Sequence, residues 1–317
     1  MSLIEQAAKR LEQLRQAGVD LPEEPAVARS AELKQRKEPV FHDETSKVQQ
    51  PAPLPSIQAQ ERKLTTSNQN QVSLNLETIQ AAGMLTPNAA RSQLADEFRV
   101  IKRPLISNAM GKGTSPIANG NLIMVTSALP GEGKSFSAVN LAISMAMELD
   151  NTVMLVDADV ARPSVLNMLG LPAAKGLLDV LEENSLDISG VLLKTNIEKL
   201  SILPSGTPHA RATELLASDT MIRLLDDMAR RYSDRIIVFD SPPLLLTTEA
   251  RVLATHMGQV VMVVNAENTA QAAVKQAITT IESCPVKMMV LNQVRVQKSD
   301  GYGYGYGYGY GYGNEKK

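Results

Sequence analysis

Apolar residues of this chain occur in short runs that alternate with amphipathic stretches through its middle and C-terminal parts. Such alternation is typical of βαβ units, in which buried parallel strands are joined by helices. It predicts an α/β fold with a mostly parallel sheet covered by helices on both faces. The predicted strands lie at 122–126, 153–156, 236–239, 260–264 and 286–291, and the main predicted helices at 135–147 and 269–281.

Two further elements are predicted just before these strands. Alternating apolar residues at 72–76 indicate an edge strand. A helix follows that carries Leu94, Phe98 and Ile101 on one face and is expected to end at Pro104. The folded domain is therefore expected to span residues 72–298.

The two ends of the chain have a different pattern. Residues 1–18 predict an amphipathic helix whose charges balance, which favours docking on a partner or self-packing over binding to a membrane surface. Residues 19–71 are rich in Pro and Gln, poor in large apolar groups, and predict a disordered linker. Residues 299–317 are expected to form a flexible tail.

Six of the seven tyrosines lie in this tail, in strict alternation with glycine. Glycine leaves the backbone mobile and gives the rings nothing to pack against, so the phenols are presented to solvent. A low-complexity adhesive or solubilising tail is the alternative interpretation. The six tail phenols are Tyr302, Tyr304, Tyr306, Tyr308, Tyr310 and Tyr312.

Composition excludes several functional classes. The 32 basic and 34 acidic side chains give a formal net charge of −2, which argues against nucleic acid as a partner. The single cysteine, Cys284, can form neither an internal disulfide nor a cysteine metal cluster, and it is expected to be a small buried side chain of a cytoplasmic protein. No apolar run is long enough to span a membrane, so any membrane attachment is expected to come from a partner.

Residues 128–135, Ala-Leu-Pro-Gly-Glu-Gly-Lys-Ser, lie between a predicted strand and a predicted helix. That context is the one in which a phosphate-binding loop (P-loop) works. Glycines 131 and 133 allow backbone N–H groups to face phosphate oxygens, Lys134 can reach the β and γ phosphates, and Ser135 offers a hydroxyl to Mg²⁺. Ala128 replaces the usual first glycine.

Two other predicted strands end in aspartate. Asp157 and Asp159 follow the strand at 153–156, and Asp240 follows the strand at 236–239. Either could simply cap the next helix. Since ligands of open α/β sheets bind at the carboxyl ends of strands, we expect the three carboxylates and Lys134 to surround one Mg-nucleotide.

Three segments, SALPGEGKS, VMLVDADVARP and RIIVFDSPP, resemble the Walker A, Walker A′ and Walker B motifs of bacterial tyrosine kinases, the cytoplasmic autokinases of polysaccharide synthesis and export. The opening MSLIEQAAKRLEQLR and the segment EFRVIKRPLI are similar to the exosortase-associated branch. Segments at 176–181, 202–216 and 290–294 fit the same family. The resemblance implies a P-loop NTPase-type fold.

The resemblance also implies a site. Its cofactors would be ATP and Mg²⁺, with the metal held by Ser135, Asp159 and Asp240. Asp157 would orient or deprotonate the incoming tyrosine hydroxyl, and Lys134 would complete the catalytic set. The division of metal and base roles between Asp157 and Asp159 stays open. The nucleotide-binding residues would be Leu129, Pro130, Gly131, Glu132, Gly133, Lys134, Ser135, Phe136 and Asn292.

Two motifs depart from the family pattern. Ala161 stands where an arginine is usual, with Arg162 one place later. The ring-assembly motif Glu-x-x-Arg-x-x-Arg appears as Asp96, Arg99 and Lys102, and lysine lacks the planar fork of arginine. A plain solvated helix face is the alternative for these three residues.

The resemblance implies a tyrosine autokinase that phosphorylates its own tail between subunits of a ring-like homo-oligomer and regulates polysaccharide chain length or export. Expected partners are a membrane co-polymerase adaptor, which recruits the chain to the inner face of the cytoplasmic membrane, and a tyrosine phosphatase. A MinD- or ParA-like ATPase switch is disfavoured because Leu129 replaces its early lysine. A nucleotide-dependent assembly scaffold without phosphate transfer is left open by the sequence.

Overall fold

The computed structural model describes residues 70–89, 91–113, 115–183, 185–231 and 234–295. The predicted helix at 1–18, nearly all of the predicted linker and the tyrosine tail lie outside these residues. The described residues all belong to one unit of the chain, residues 64–317.

Seven strands form one sheet in the described part of the chain, in the order β3-β4-β2-β5-β1-β6-β7. Only β3 runs antiparallel to its neighbour, so the predicted mostly parallel sheet is confirmed. The short strands β3 and β4 were not predicted, since two and four residues carry too little pattern. The strands are β1 (Leu122–Ser127), β2 (Thr152–Asp157), β3 (Leu193–Lys194), β4 (Leu200–Leu203), β5 (Arg235–Asp240), β6 (Gln259–Asn265) and β7 (Val286–Asn292).

Helices cover both faces of this sheet, as the continuous apolar strands require. Leu122 and Met124 of β1 pack into one apolar cluster, whereas the alternate residues Ile123 and Val125 pack into the other. The helices are α1 (Leu76–Ala81), α2 (Gln93–Ala109), α3 (Lys134–Ala146), α4 (Val165–Met168), α5 (Leu177–Glu182), α6 (Ile188–Val191), α7 (Ala212–Leu216), α8 (Asp219–Arg231), α9 (Thr248–Thr255) and α10 (Gln271–Thr279).

The predicted edge strand at 72–76 is wrong. Val72 donates one backbone hydrogen bond to Lys194, but the next residues make no ladder, and Leu76 begins α1. The Asn75 side chain accepts hydrogen bonds from the N–H groups of Glu77 and Thr78, the second and third residues of α1, and so caps the helix. Asn196 bonds the backbone of Leu74 and takes the place of a strand partner.

The predicted end of a helix at Pro104 is also wrong, because α2 continues through this proline to Ala109. Proline removes one helical hydrogen bond, but the apolar spacing of α2 continues at Leu105, which is completely buried. Burial of Leu105 in the apolar cluster contributes about 2 kcal/mol, which offsets part of the cost of the proline.

Lys102 of α2 does not share the exposed surface of Asp96 and Arg99. It is buried, and its Nζ donates to the carbonyl of Ser144 at 2.6 Å and pairs with Glu148 at 2.7 Å. Lys102 therefore joins α2 to the C-terminal part of α3 within the chain, and its place in an interface between subunits stays a prediction. Asp96 and Arg99 form an exposed pair with each other.

Candidate active site

Three neighbouring strands bring the predicted catalytic residues to one edge of the sheet. Strand β5 lies between β1 and β2, and the register sets Asp240 opposite both Val125 and Asp157. The P-loop leaves β1 at this same edge and enters α3. The predicted meeting of the phosphate loop and the acidic strand ends is therefore confirmed by topology alone.

The P-loop follows its predicted form. Gly131 and Gly133 have φ angles of 81° and 89°, in the left-handed region that side chains other than glycine rarely adopt. A Cβ atom on Gly133 would lie 2.1 Å from the side-chain amide nitrogen of Asn292, so any larger residue would displace that side chain. Helix α3 begins at Lys134 and directs its free N–H groups towards the loop.

Lys134 lies at the centre of the site. Its Nζ is 2.6 Å from Oδ2 of Asp159, 3.7 Å from Oδ1 of Asp240 and 3.2 Å from the hydroxyl of Ser135. One cationic group thus touches the three side chains predicted to bind Mg²⁺. The structure brings those predicted ligands together.

Asp157 combines a structural contact with an unusual charge state. Its Oδ2 accepts hydrogen bonds from the amides of Ser164 and Val165 at 3.1 and 3.0 Å, and so holds the start of α4. Its Oδ1 is buried and accepts no hydrogen bond from the described residues. Burial, together with the charge of Asp240, raises the pKa of Asp157 to about 7.

Asp240 is completely buried, and neither of its oxygens accepts a hydrogen bond among the described residues. Burial raises its pKa to about 6, although the charge of Lys134 opposes this rise. The only positive charge close to the buried Asp240 carboxylate among the described residues is that of Lys134, and a buried charge is costly unless it is paired. The donor set therefore fits a divalent cation.

The type of cation follows from the ligands. The described residues contain no cluster of three His, Cys, Asp or Glu side chains arranged to hold a metal by themselves. Mg²⁺ suits such a site, because it binds through one or two carboxylates and completes its shell with phosphate oxygens and water. Ser135, Asp159 and Asp240 are the residues that would hold it.

A cleft of about 480 Å³ opens over Lys134. Of the predicted site residues, Pro130, Gly131, Lys134, Ser135 and Asp159 line it. Most of the opposite wall was not predicted as part of the site, although Ala161 and Arg162 lie in the second motif and the proline pair follows Asp240; Ser164, Leu246 and Thr247 carry no signal in the sequence. The remaining lining residues are Ala161, Arg162, Ser164, Pro242, Pro243, Leu246 and Thr247.

Five of the predicted nucleotide-binding residues do not line this cleft, namely Leu129, Glu132, Gly133, Phe136 and Asn292. Phe136 and Asn292 line a second cavity of about 350 Å³ between α2, the start of α3 and β7. The side chain of Glu132 is buried and does not line the cleft. Any contact of Glu132 with phosphate would therefore come from its backbone N–H.

Replacing Asp157 by asparagine is expected to stabilise the protein without nucleotide at pH 8. The folded-state pKa of Asp157 is raised to about 7 from 3.8, so folding loses free energy as the pH rises from about 4 to 7. Asparagine removes this loss and keeps an oxygen for the amides of Ser164 and Val165. Urea unfolding should show a gain of about 4 kcal/mol at pH 8, because each unit of the rise from 3.8 to about 7 corresponds to about 1.4 kcal/mol.

The gain should shrink towards pH 3, where the carboxyl is largely protonated in both states. Asp150→Asn, at an exposed aspartate, is the matched control and should change stability little at either pH. A gain for Asp157→Asn that does not grow between pH 5 and pH 8 would contradict the assigned charge state.

Comparisons with known proteins agree with this geometry. A family model described as an AAA domain matches residues 120–293. Tyrosine-protein kinase YwqD of Bacillus subtilis (strain 168) is 32% identical over 182 residues, which cover 57% of this chain and 75% of that kinase. The solved structure of the chimerical protein CapA2B2 superposes with a TM-score of 0.55 at 28% identity, over 68% of this chain and 92% of the chimera. The kinase domain of the Escherichia coli tyrosine kinase ETK gives a TM-score of 0.56 at 26% identity, over 67% and 80% of the two chains.

A parallel sheet with a glycine-rich phosphate loop after β1 and aspartates on the adjacent strand ends defines a P-loop nucleotide-binding protein with an AAA domain. Within that class, the chain belongs to the bacterial tyrosine-protein kinases. It is therefore a bacterial protein-tyrosine kinase. None of the helices in the described part of the chain is long and apolar enough to cross a membrane.

Proposed function

We propose that this kinase uses ATP and Mg²⁺ to phosphorylate the six tyrosines of its own C-terminal tail. The observation that carries the proposal is the position of Lys134, which lies between Asp159 and Asp240 at the mouth of a cleft lined by the P-loop. When ATP binds, the ammonium group of such a lysine can contact phosphate oxygens in place of the carboxylates.

Different residues of the site are proposed to bind the metal and the phosphates. Ser135, Asp159 and Asp240 hold the metal, while Lys134 and the P-loop amides bind the β and γ phosphates. Mg²⁺, when bound, supplies the charge neutralisation that phosphoryl transfer needs. Lys134 would stabilise the negative charge that develops on the transferred group.

Asp157 is proposed as the base. A pKa of about 7 places this carboxyl in the range where it can accept a proton at neutral pH, and Oδ1 has no competing donor among the described residues. In the transfer, the tyrosine oxygen bonds to the γ phosphorus as the bond to ADP breaks. The phenolic proton passes to Oδ1 of Asp157 through one bridging water, because this oxygen is buried and Asp157 does not line the cleft.

The phenol is proposed to enter along the wall opposite the P-loop. Pro242, Pro243 and Leu246 form an apolar surface there, and Leu246 is 60% exposed. Backbone hydrogen bonds from Leu244 and Leu245 to Ser127 and Ala128 fix this wall to the end of β1. An aromatic ring flanked by glycines can lie flat on such a surface, because glycine adds no side chain to exclude it.

Transfer between subunits of a ring is proposed, with Asp96 and Arg99 as the exposed residues of the interface. We also propose a membrane co-polymerase adaptor as partner, with recruitment to the inner face of the cytoplasmic membrane, and a tyrosine phosphatase that resets the tail. Each phosphate adds about −1.5 to −2 charges, so phosphorylated tails repel one another and oppose assembly. Control of polysaccharide chain length or export would follow from this cycle.

Magnesium dependence tests the proposal. Purified protein incubated with labelled ATP and Mg²⁺ should place label on tyrosine. Excess EDTA should abolish the labelling, because without the metal the carboxylates of Asp159 and Asp240 would repel the phosphates. Intact mass should rise by whole phosphate units. Nucleotide binding without any label on tyrosine would favour an assembly scaffold.

A further inference from the structure

Glu132, inside the P-loop, has a carboxylate that the proposed mechanism does not use. Its side chain is 2% exposed and turns away from the cleft. Oε2 accepts a hydrogen bond from the backbone N–H of Leu129 at 2.6 Å. Oε1 accepts from the N–H of Asn265 at 3.2 Å and from the hydroxyl of Thr269. One carboxylate therefore joins the first turn of the loop to the end of β6.

Strand β7 holds the same loop from its own end. The side-chain amide of Asn292 donates to the carbonyl of Glu132 at 2.9 Å, and that of Gln293 donates to the carbonyl of Gly131 at 3.1 Å. Asn265 in turn donates to the side-chain oxygen of Gln293, which links the β6 and β7 contacts. The five residues Glu132, Asn265, Thr269, Asn292 and Gln293 are called the loop clamp below.

The geometry of a trans peptide explains what these contacts do. Its C=O and N–H point in opposite directions. Holding the carbonyls of Gly131 and Glu132 towards β7 therefore turns the N–H groups of Glu132 and Gly133 away from β7. Phosphate binding by a P-loop depends on N–H groups that all face the ligand.

A loop that contains two glycines with positive φ angles has little intrinsic preference for this arrangement. Ordering it on binding would cost about 1–2 kcal/mol per residue in backbone entropy. Contacts that fix the loop beforehand remove part of that cost, which is the general basis of preorganisation.

We propose that Glu132 is a positioning residue, and that the loop clamp holds the P-loop amides ready for phosphate before nucleotide arrives. The inference rests on the proposed binding of nucleotide at this site. Glu132 and Thr269 would raise the affinity for nucleotide although their side chains do not touch it. Asn292 and Gln293 would hold the P-loop in place from the C-terminal end of β7.

The matched pair Thr269→Val and Thr269→Ser tests the clamp. Valine has the shape of threonine but cannot donate to Glu132, whereas serine keeps the hydroxyl. Titration of full-length protein with a fluorescent ADP analogue and Mg²⁺ should show about threefold to tenfold weaker binding for valine and nearly unchanged binding for serine. The KM for ATP should rise in the valine variant while kcat at saturating ATP stays close to that of the parent protein.

Glu132→Gln provides a second, larger perturbation. An amide NH₂ must face either Leu129 N–H or the Asn265 and Thr269 donors, so one buried donor loses its acceptor and affinity should fall roughly tenfold. Equal ADP affinity for the parent protein, Thr269→Val and Glu132→Gln would overturn the clamp and leave the proposed function standing. Failure of the parent protein to bind MgADP would overturn both.

Discussion

Replacing Lys134 by methionine should reduce autophosphorylation of the tail by roughly 100- to 1,000-fold, the usual effect of removing one preorganised group that stabilises transition-state charge. Lys134 is the cation that lies 2.6 Å from Asp159 and 3.7 Å from Asp240 in the site. Methionine keeps the length and apolar stem of the side chain and removes only the charged group. The rate is measured as labelled phosphate on tyrosine at saturating ATP and Mg²⁺.

Lys175→Met is the matched control. The Lys175 side chain is 59% exposed and pairs with Glu183 on the surface, so its loss should leave both rate and stability nearly unchanged. Urea unfolding of Lys134→Met separates a catalytic effect from a folding effect. A folded Lys134→Met protein that labels its tail at the parent rate would contradict the site.

Phenylalanine at all six tail tyrosines should remove nearly all phosphotyrosine from the protein. Each replacement deletes only the phenolic oxygen that accepts the phosphoryl group and keeps the aromatic ring. ADP binding should stay unchanged, because the tail contributes nothing to the P-loop in this account. The measurement is phosphotyrosine content after incubation with Mg-ATP, with Tyr232→Phe as the control that retains the tail. The variant changes Tyr302, Tyr304, Tyr306, Tyr308, Tyr310 and Tyr312.

Mixing the two variants determines which chain donates and which accepts. The tail variant keeps an intact site, and Lys134→Met keeps an intact tail, so transfer between subunits should place label on the Lys134→Met chains. Neither variant alone should label appreciably. Label that never appears in the mixture, while the parent protein labels normally, would mean that each tail serves only its own site.

Much of the fold could be predicted because its information is local. Apolar runs such as 153–156 and 236–239 are buried on both sides and need no partner to be recognised. The glycines, Lys134 and Ser135 of the P-loop carry a local motif, and parallel strands bring their carboxyl ends to one edge without further information. These three facts place Asp157, Asp159 and Asp240 near Lys134.

The contacts and residues that the sequence did not reveal share a cause, which is a partner distant in the sequence. Lys102 looks like a surface residue of an amphipathic helix until Ser144 and Glu148 approach it. Glu132 belongs to a loop motif, but its side chain is directed by Asn265 and Thr269, more than 130 positions away. Local patterns carry no information about such pairs.

The sequence could not decide whether Asp157 caps a helix or serves the ligand site, and the structure shows why. A carboxylate after a strand can cap a helix or serve the ligand site, and here one oxygen binds the start of α4 while the other is left without a hydrogen bond among the described residues. Burial of both oxygens then sets the charge state. That burial depends on the tertiary fold.

Phosphosite mapping by mass spectrometry of the full-length protein made in cells, beside Lys134→Met, tests the central claim most directly. The account predicts phosphate on the tyrosines between 302 and 312 in the parent protein and none there in Lys134→Met. Unmodified tail tyrosines in a parent protein that binds MgADP, or equal modification of both proteins, would contradict it.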